Sequence, residues 1–404
     1  MAEAFNLPPD LDFNCTNCGR CCRDRWEIRV DAGSAERLNA RYPGEPFKRR
    51  LAVVPDELPF TVERNSCGAC VFLEEKNLCR IHRELGLEAK PQVCQQFPFL
   101  FSEHPDGITV GLSHYCPGVK RVEGANEPPL QKKLPDLERL RAHALRLEKV
   151  GAEVLLEDGV PLAWPDYRAF EDFLLELVRS PGVNPAEALV AAALGASMLS
   201  DFLRTRPGKP PLGAAREFVA GWRRMGIARI LSTASRQRTK PRTGRLLLRQ
   251  FLSLVDASAG YSASWAFFKE LMGRGKIFSV PLEAKISVRG VRAVELPWDQ
   301  AEPLRRYAEH AVFRRRLLPK LGVRVGLALL CLHVASARSI ARASAWLAGR
   351  PKTDADDVAR GVQLVEKHYA LHSSLPEVFV RGPARTLFQR VSARPRYAWA
   401  VLTA

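Results

Sequence analysis

From residue 137 onward, apolar side chains recur at steps of three and four, the spacing of helices that bury one face. Such runs cover Leu137–Val150, Tyr167–Arg179, Pro185–Arg204, Ala214–Leu231, Leu246–Val255, Ala263–Met272, Asp299–Arg316, Val323–Leu347 and Asp354–Leu371. Ile277–Leu296 breaks the period, and the alternation from Ala284 to Arg289 predicts one hairpin there. No internal repeat of fixed period is present. The longest apolar stretch, Val325–Ala337, is interrupted by His333 and falls short of the ~20 residues of a membrane span. It reads as a buried helix, and no membrane segment is expected.

The first 122 residues are patterned differently. Trp26, Ile28 and Val30 alternate with Glu27 and Arg29, the period of a half-buried strand. Asp31 or Ser34 is placed to cap a helix over Ala35–Arg41, and Arg49–Thr61 reads as a Pro-bearing connector. A short helix is predicted to carry Cys79, His82 and Arg83. Cys94 falls near another helix start, and Gly107–Ser113 reads as a strand. Residues 123–136 are polar and Pro-bearing, as in a linker. The expected fold is mainly α. A small, metal-stapled, cysteine-rich α+β domain (1–122) precedes the linker, and an irregular, basic helical domain (137–404) follows it.

Cysteine usage gives the N-terminal region its chemistry. Of ten cysteines, nine lie in the first 116 residues: Cys15, Cys18, Cys21, Cys22, Cys67, Cys70, Cys79, Cys94 and Cys116. The N-terminal sequence lacks a basic start followed by an apolar run, so a cytoplasmic protein is expected. In a reducing compartment, clustered cysteines are metal ligands more often than disulfides. Gly19 sits where a knuckle turn needs a residue tolerant of positive φ. Backbone amides of such loops bond the sulfurs and lower their pKa. Zinc takes four tetrahedral thiolate or imidazole ligands, whereas the C-x2-C-x2-C step with a distant Cys-Pro also follows ferredoxin spacing. Zinc and iron therefore both stand, a 4Fe-4S cluster included. His82 lies close to Cys79; it, His104 and His114 read as supporting or surface residues. Cys331, in an apolar helix, reads as core.

The net charge of +17 is uneven: residues 1–122 balance at −1 and the remainder at +18. An acidic partner would therefore dock on the helical part. Its basic segments are Ser235–Arg245, with Arg236, Arg238, Lys240, Arg242 and Arg245, and the run Arg314–Arg316. No aromatic platform is interleaved with them, so a solvated Arg-rich surface is favoured over a nucleic-acid contact. No P-loop is present, since Gly273-Arg-Gly275-Lys276 is too short. A Gly-rich loop of the Rossmann methyltransferase kind is also lacking, with Gly151–Glu157 the nearest approach.

The ordered motifs Phe13-x-Cys15-x2-Cys18-Gly19-x-Cys21-Cys22, Cys70-x-Phe72-Leu73, Cys79-x-Ile81, Lys90-Pro91-x2-Cys94-x2-Phe97-Pro98 and Cys116-Pro117 resemble the zinc- or iron-chelating cysteine-cluster (YkgJ-type) family. That family is similar to the flagellin lysine-N-methylases, and Trp26-x-Ile28-x-Val30-Asp31 with Glu84-Leu-Gly86 resembles the methylase branch. The resemblance spans about residues 11–120. It implies metal ligation by Cys15, Cys18, Cys21, Cys22, Cys70, Cys79, Cys94 and Cys116, with Cys67 an extra cysteine. Trp26, Ile28 and Asp31 follow the first cluster directly and are expected to support it. The methylase likeness implies S-adenosylmethionine as methyl donor and flagellin, or another acidic protein, as partner. The alternatives are a non-catalytic metal-binding or redox-sensing protein, and a nucleic-acid-binding protein acting through its basic helices.

Overall fold

The computed structural model describes residues 4–404 apart from 25, 45, 50–57, 145–146, 206–211, 238–240, 259, 298–300, 373–375, 377–384, 387 and 390–393. The chain divides into two compact units. One comprises Phe5–Phe101 and Val110–Glu148; the other comprises Ala4, Ser102–Thr109 and Lys149–Ala404. Most of the expected connector at Arg49–Thr61 lies outside the described residues, as do Arg238 and Lys240 of the expected basic loop.

The cysteine-bearing unit is built from short pieces. Its strands are Phe5–Asn6 (β1), Leu11–Phe13 (β2), Arg29–Val30 (β3), Phe47–Arg49 (β4), Phe60–Val62 (β5), Phe99–His104 (β6) up to Phe101, Gly107–Leu112 (β7) from Val110, Val119–Arg121 (β8) and Leu147–Lys149 (β9) up to Glu148. Its helices are Arg20–Arg23 (α1), Ala32–Arg41 (α2), Arg80–Leu85 (α3), Gln92–Gln96 (α4) and Leu134–Ala142 (α5). β2 pairs antiparallel with β8, with Phe13 opposite Val119. β5 pairs with β3 on one side and β4 on the other, and β6 and β7 sit centrally in a sheet ordered β1-β7-β6-β9. Asp31 caps α2 by accepting from the Ser34 amide at 2.8 Å. That cap turns Ala35 and Leu38 onto Val30, Phe47, Val62, Phe72 and Ile81, a core of few residues.

The helical unit opens with a hairpin, Glu153–Glu157 (β10) and Val160–Ala163 (β11), turned at Gly159 with φ +78°. Helices follow at Trp164–Arg179 (α6), Pro185–Arg204 (α7), Ala214–Met225 (α8), Ile227–Ser235 (α9), Pro241–Ser258 (α10) and Ala263–Met272 (α11). A second hairpin, Lys276–Ser279 (β12) and Ala284–Ser287 (β13), precedes Val288–Ala293 (α12), Glu302–Phe313 (α13), Leu317–Leu321 (α14), Val323–Leu347 (α15), Ala355–His368 (α16) and Pro395–Leu402 (α17). The expected single helix over Ala214–Leu231 is two, because Gly226 takes φ +76°. The helix expected over Leu137–Val150 ends at Ala142, and Leu147–Lys149 is a strand instead.

α15 is the central helix, with α16 packed along it. The approach is close: a Cβ on Gly361 would lie 2.3 Å from the Ala337 carbonyl oxygen. By length and composition α7 and α15 could each cross a membrane, yet 72% and 89% of their apolar windows are buried inside the fold. They are core helices here. His333 of α15 is buried with both ring nitrogens engaged, Nδ1 with the Tyr307 hydroxyl and Nε2 with the Tyr369 carbonyl, each at 3.1 Å.

The run Arg314–Arg316 is largely internal rather than a basic surface. Arg314 makes a two-pronged pair with Glu366 at 2.9 and 3.1 Å, and Arg315 pairs with Glu171 at 3.1 Å and with His104 at 2.9 Å. Arg314, Arg315, Glu171 and Glu366 are all buried. Removing one member of such a pair leaves an uncompensated charge inside the fold.

Candidate metal centre

The first cluster is shaped by its glycine. Gly19 stands at φ +67° and caps α1, so the amides of Cys22 and Arg23 both reach the Gly19 carbonyl at 3.0 Å. A Cβ at this position would also come within 2.6 Å of Arg23 Nη1. The reversal lets a four-residue helix present Cys21 and Cys22 while Cys15 and Cys18 remain on the loop before it. Arg23 donates to the Cys18 carbonyl at 2.9 Å and to the Asn77 side chain, which fixes the loop.

The second cluster is held by Asn65. Its side-chain oxygen accepts from the amides of Cys67 and Ala69 at 3.1 and 2.9 Å, closing the turn that carries Gly68 at φ +77°. The Cys70 amide then donates to the Cys22 carbonyl at 2.8 Å, and Arg64 donates to the same oxygen at 3.0 Å. The two cysteine loops are thus joined through backbone. Cys79 stands at the N-terminus of α3 and Cys94 lies within α4. Lys133 binds Asp12 at 2.6 Å and also the Phe13 carbonyl, which anchors the chain just before Cys15.

These elements surround one cleft of about 560 Å³, lined by Cys15, Cys18, Cys21, Cys22, Cys79, Cys94 and Cys116. Cys70 is not on its wall; it is buried in the small core with Cys22, Cys79 and Cys94 against it. Cys67 is exposed and lies off the cleft. His82 lines the cleft, His114 does not, and His104 belongs to the helical unit, where it bonds Thr109 at 2.8 Å. Trp26 packs on Phe97 and Tyr115, two residues of the cleft wall, at ring separations of 5.3 and 5.4 Å. Ile28 belongs to the core against which the wall cysteines Cys22, Cys79 and Cys94 pack, and Asp31 caps α2.

The electrostatics follow from crowding thiols in a partly buried space. Burial raises the pKa of Cys94 to about 12 and of Cys116 to about 11, and raises that of Cys70 as well. Cys21 and Cys22 lie 3.9 Å apart at sulfur, so the hydrogen bond between them lowers one thiol and raises the other. Burial disfavours the Lys90 ammonium, but the attraction of the sulfurs around it, Cys94 first, outweighs that and raises its pKa. Lys90 therefore stays charged beside the sulfurs, a role its position in the sequence did not disclose. Arg20, Lys133 and Arg139 add positive charge around the same cleft.

The donor set fits a thiophilic metal, since soft thiolates select zinc, copper(I) and iron–sulfur centres. Among the described residues, no three Cys, His, Asp or Glu side chains converge at single-ion spacing. The sulfurs ring a cleft instead of meeting at one point.

Residues 14–117 match the family model CxxCxxCC, described as "Putative zinc- or iron-chelating domain". The match covers the cysteine-rich region and none of the helical unit that begins at Lys149. The chain is 36% identical over 118 residues to an uncharacterised protein of Methanocaldococcus jannaschii, covering 28% of this chain and 38% of that one. It is 26% identical over 121 residues to a lysine-N-methylase of Salmonella typhimurium, covering 26% and 29%. A flagellar biosynthetic protein, FliU, of Salmonella muenchen is 24% identical over 119 residues, 26% of this chain and 68% of that one. The chain thus spans under two fifths of the archaeal relative and of the methylase. No solved structure matches it. The match to a zinc- or iron-chelating domain supports metal binding by the cysteine-rich region.

Proposed function

We propose that the cleft holds a metal centre ligated by cysteines drawn from Cys15, Cys18, Cys21, Cys22, Cys70, Cys79, Cys94 and Cys116, and that the protein is a protein-lysine methylase dependent on that centre. The observation that carries the metal reading is the single cleft shared by seven of these cysteines, with Lys90 held among them. A ring of sulfurs around a cleft suits a multi-atom iron–sulfur centre better than one tetrahedral zinc ion, which needs four donors at one point. The cations around the cleft would offset the charge of thiolates and inorganic sulfide.

The methylase reading draws its support from the resemblance to the lysine-N-methylases. The cleft also leaves open space beside the sulfurs, which a purely structural staple does not need. S-adenosylmethionine would supply the electrophilic methyl group. The chain must then admit a neutral lysine amine of an acidic partner protein, flagellin being the candidate that the likeness suggests. The experiment is calorimetry of S-adenosylmethionine with metal-loaded protein, combined with labelled-methyl transfer to flagellin and to cell lysate. Donor binding with label on lysine is the expected result. Absence of both leaves the non-catalytic metal-binding reading in its place.

A further inference from the structure

A second cavity lies wholly within the helical unit, among α10, α11, α12 and α15. It measures about 80 Å³, room for several water-sized groups and well above the ~10–15 Å³ that one water needs. Arg245, Arg249, Arg292 and Arg342 line it, together with one carboxylate, Glu270, and the last residue of the sequence, Ala404. The rest of its wall is largely apolar, including Leu248 and Ile286.

Four guanidinium groups around so small a space repel one another. Glu270 is taken up by Arg292, which binds both its carboxylate and its backbone carbonyl, the latter at 2.7 Å. Arg342 donates through Nη1 to an Ala404 oxygen at 3.0 Å. The wall carries four arginines against one carboxylate side chain. The Nε atoms of Arg245 and Arg342 are buried and meet no hydrogen-bond acceptor. A buried donor without an acceptor is destabilising, more so when the group is charged. Burial lowers the pKa of both arginines, and the nearby Arg292 lowers that of Arg245 further, so the site favours whatever brings negative charge into it.

We propose that this cavity is a phosphate site, taking free phosphate or the phosphoryl end of a small molecule. The guanidinium fork matches oxyanions with paired donors, and a phosphate near neutral pH brings more than one negative charge and several acceptor oxygens. A carboxylate brings one charge and fewer acceptors. The site is independent of the cysteine cleft and of the methylase reading.

The test is calorimetric titration of the full chain with inorganic phosphate, ionic strength held constant with sodium chloride. Saturable one-to-one binding is expected. Arg245→Gln and Arg342→Gln should each weaken it at least tenfold, whereas Arg289→Gln, an exposed arginine off the cavity wall, should leave it unchanged. Glycerol phosphate separates the two sources of the same group: tighter binding than phosphate assigns a phosphorylated small molecule, weaker binding assigns the free ion. If a cavity variant does not fold, the wild-type thermal midpoint decides, rising in low-millimolar phosphate above its value in chloride of equal ionic strength. Three results would each overturn the proposal: no saturable binding, equal binding of acetate, or equal weakening by Arg289→Gln.

Discussion

Acid should destabilise the helical unit through one named residue, His333. The ring is buried in α15, where its neutral form satisfies both nitrogens: Nε2–H donates to the Tyr369 carbonyl and Nδ1 accepts from the Tyr307 hydroxyl. Burial holds its pKa down to about 4, against an ordinary value of 6.5. Between those two values the unfolded chain takes up a proton that the folded chain refuses. Stability from this group is therefore complete above pH 6.5 and is lost progressively as pH falls toward 4. The gap between 6.5 and about 4, at 1.36 kcal/mol for each tenfold change in proton affinity, is worth about 3 kcal/mol once fully crossed. His333→Gln removes the titration and keeps a donor and an acceptor in the same place. Urea denaturation followed by helical circular dichroism, repeated from pH 7.5 to 4.5, measures the difference. The wild type should lose roughly 2–3 kcal/mol more than the variant across that range. Parallel pH profiles for the two proteins would refute the reasoning.

Replacing cysteines should sort the cleft from its surroundings. Cys21→Ser is expected to lower bound metal at least twofold by elemental analysis, whereas Cys67→Ser, exposed and off the cleft, leaves it unchanged. Lys90→Gln removes the charge held among the thiolates and should weaken metal retention against a competing chelator about tenfold, the usual effect of a group supporting the ligands. Gly361→Ala presses a methyl group against the Ala337 carbonyl, and overpacking of this kind costs about 1–3 kcal/mol, which thermal denaturation would register as a lower midpoint.

The helices were legible where local signals agreed with packing. Pro185–Arg204 has Asn184 as its cap and proline in its first turn, and its observed limits are those of its apolar period. Ala263–Met272, capped by Ser262 and closed by Gly273 at φ +68°, was equally plain. The period alone did not reveal the break at Gly226, because apolar spacing continues across it while the backbone reverses. The hairpin at Glu153–Ala163 is not legible in the period for a related reason: its strands span only five and four residues, and the reversal rests on the positive φ of Gly159. Arg314–Arg316 read as surface charge because the partners of the first two, Glu366 and Glu171, lie 52 and 144 residues away. At the candidate metal centre, spacing pointed to the cysteines, seven of which line one cleft, and to the turn at Gly19. It could not tell that Cys70 sits behind the cleft, that Cys67 lies off it, or that Lys90 is among the sulfurs. Those facts depend on how separate loops fold onto one another.

The most direct test of the central claim is elemental analysis with an absorption spectrum on protein purified without oxygen. The cysteine cleft predicts bound metal in stoichiometric amount, with the charge-transfer absorption of an iron–sulfur centre, both lost in Cys21→Ser. Protein whose cysteine unit is folded and protease-resistant, yet carries neither zinc nor iron, would contradict it.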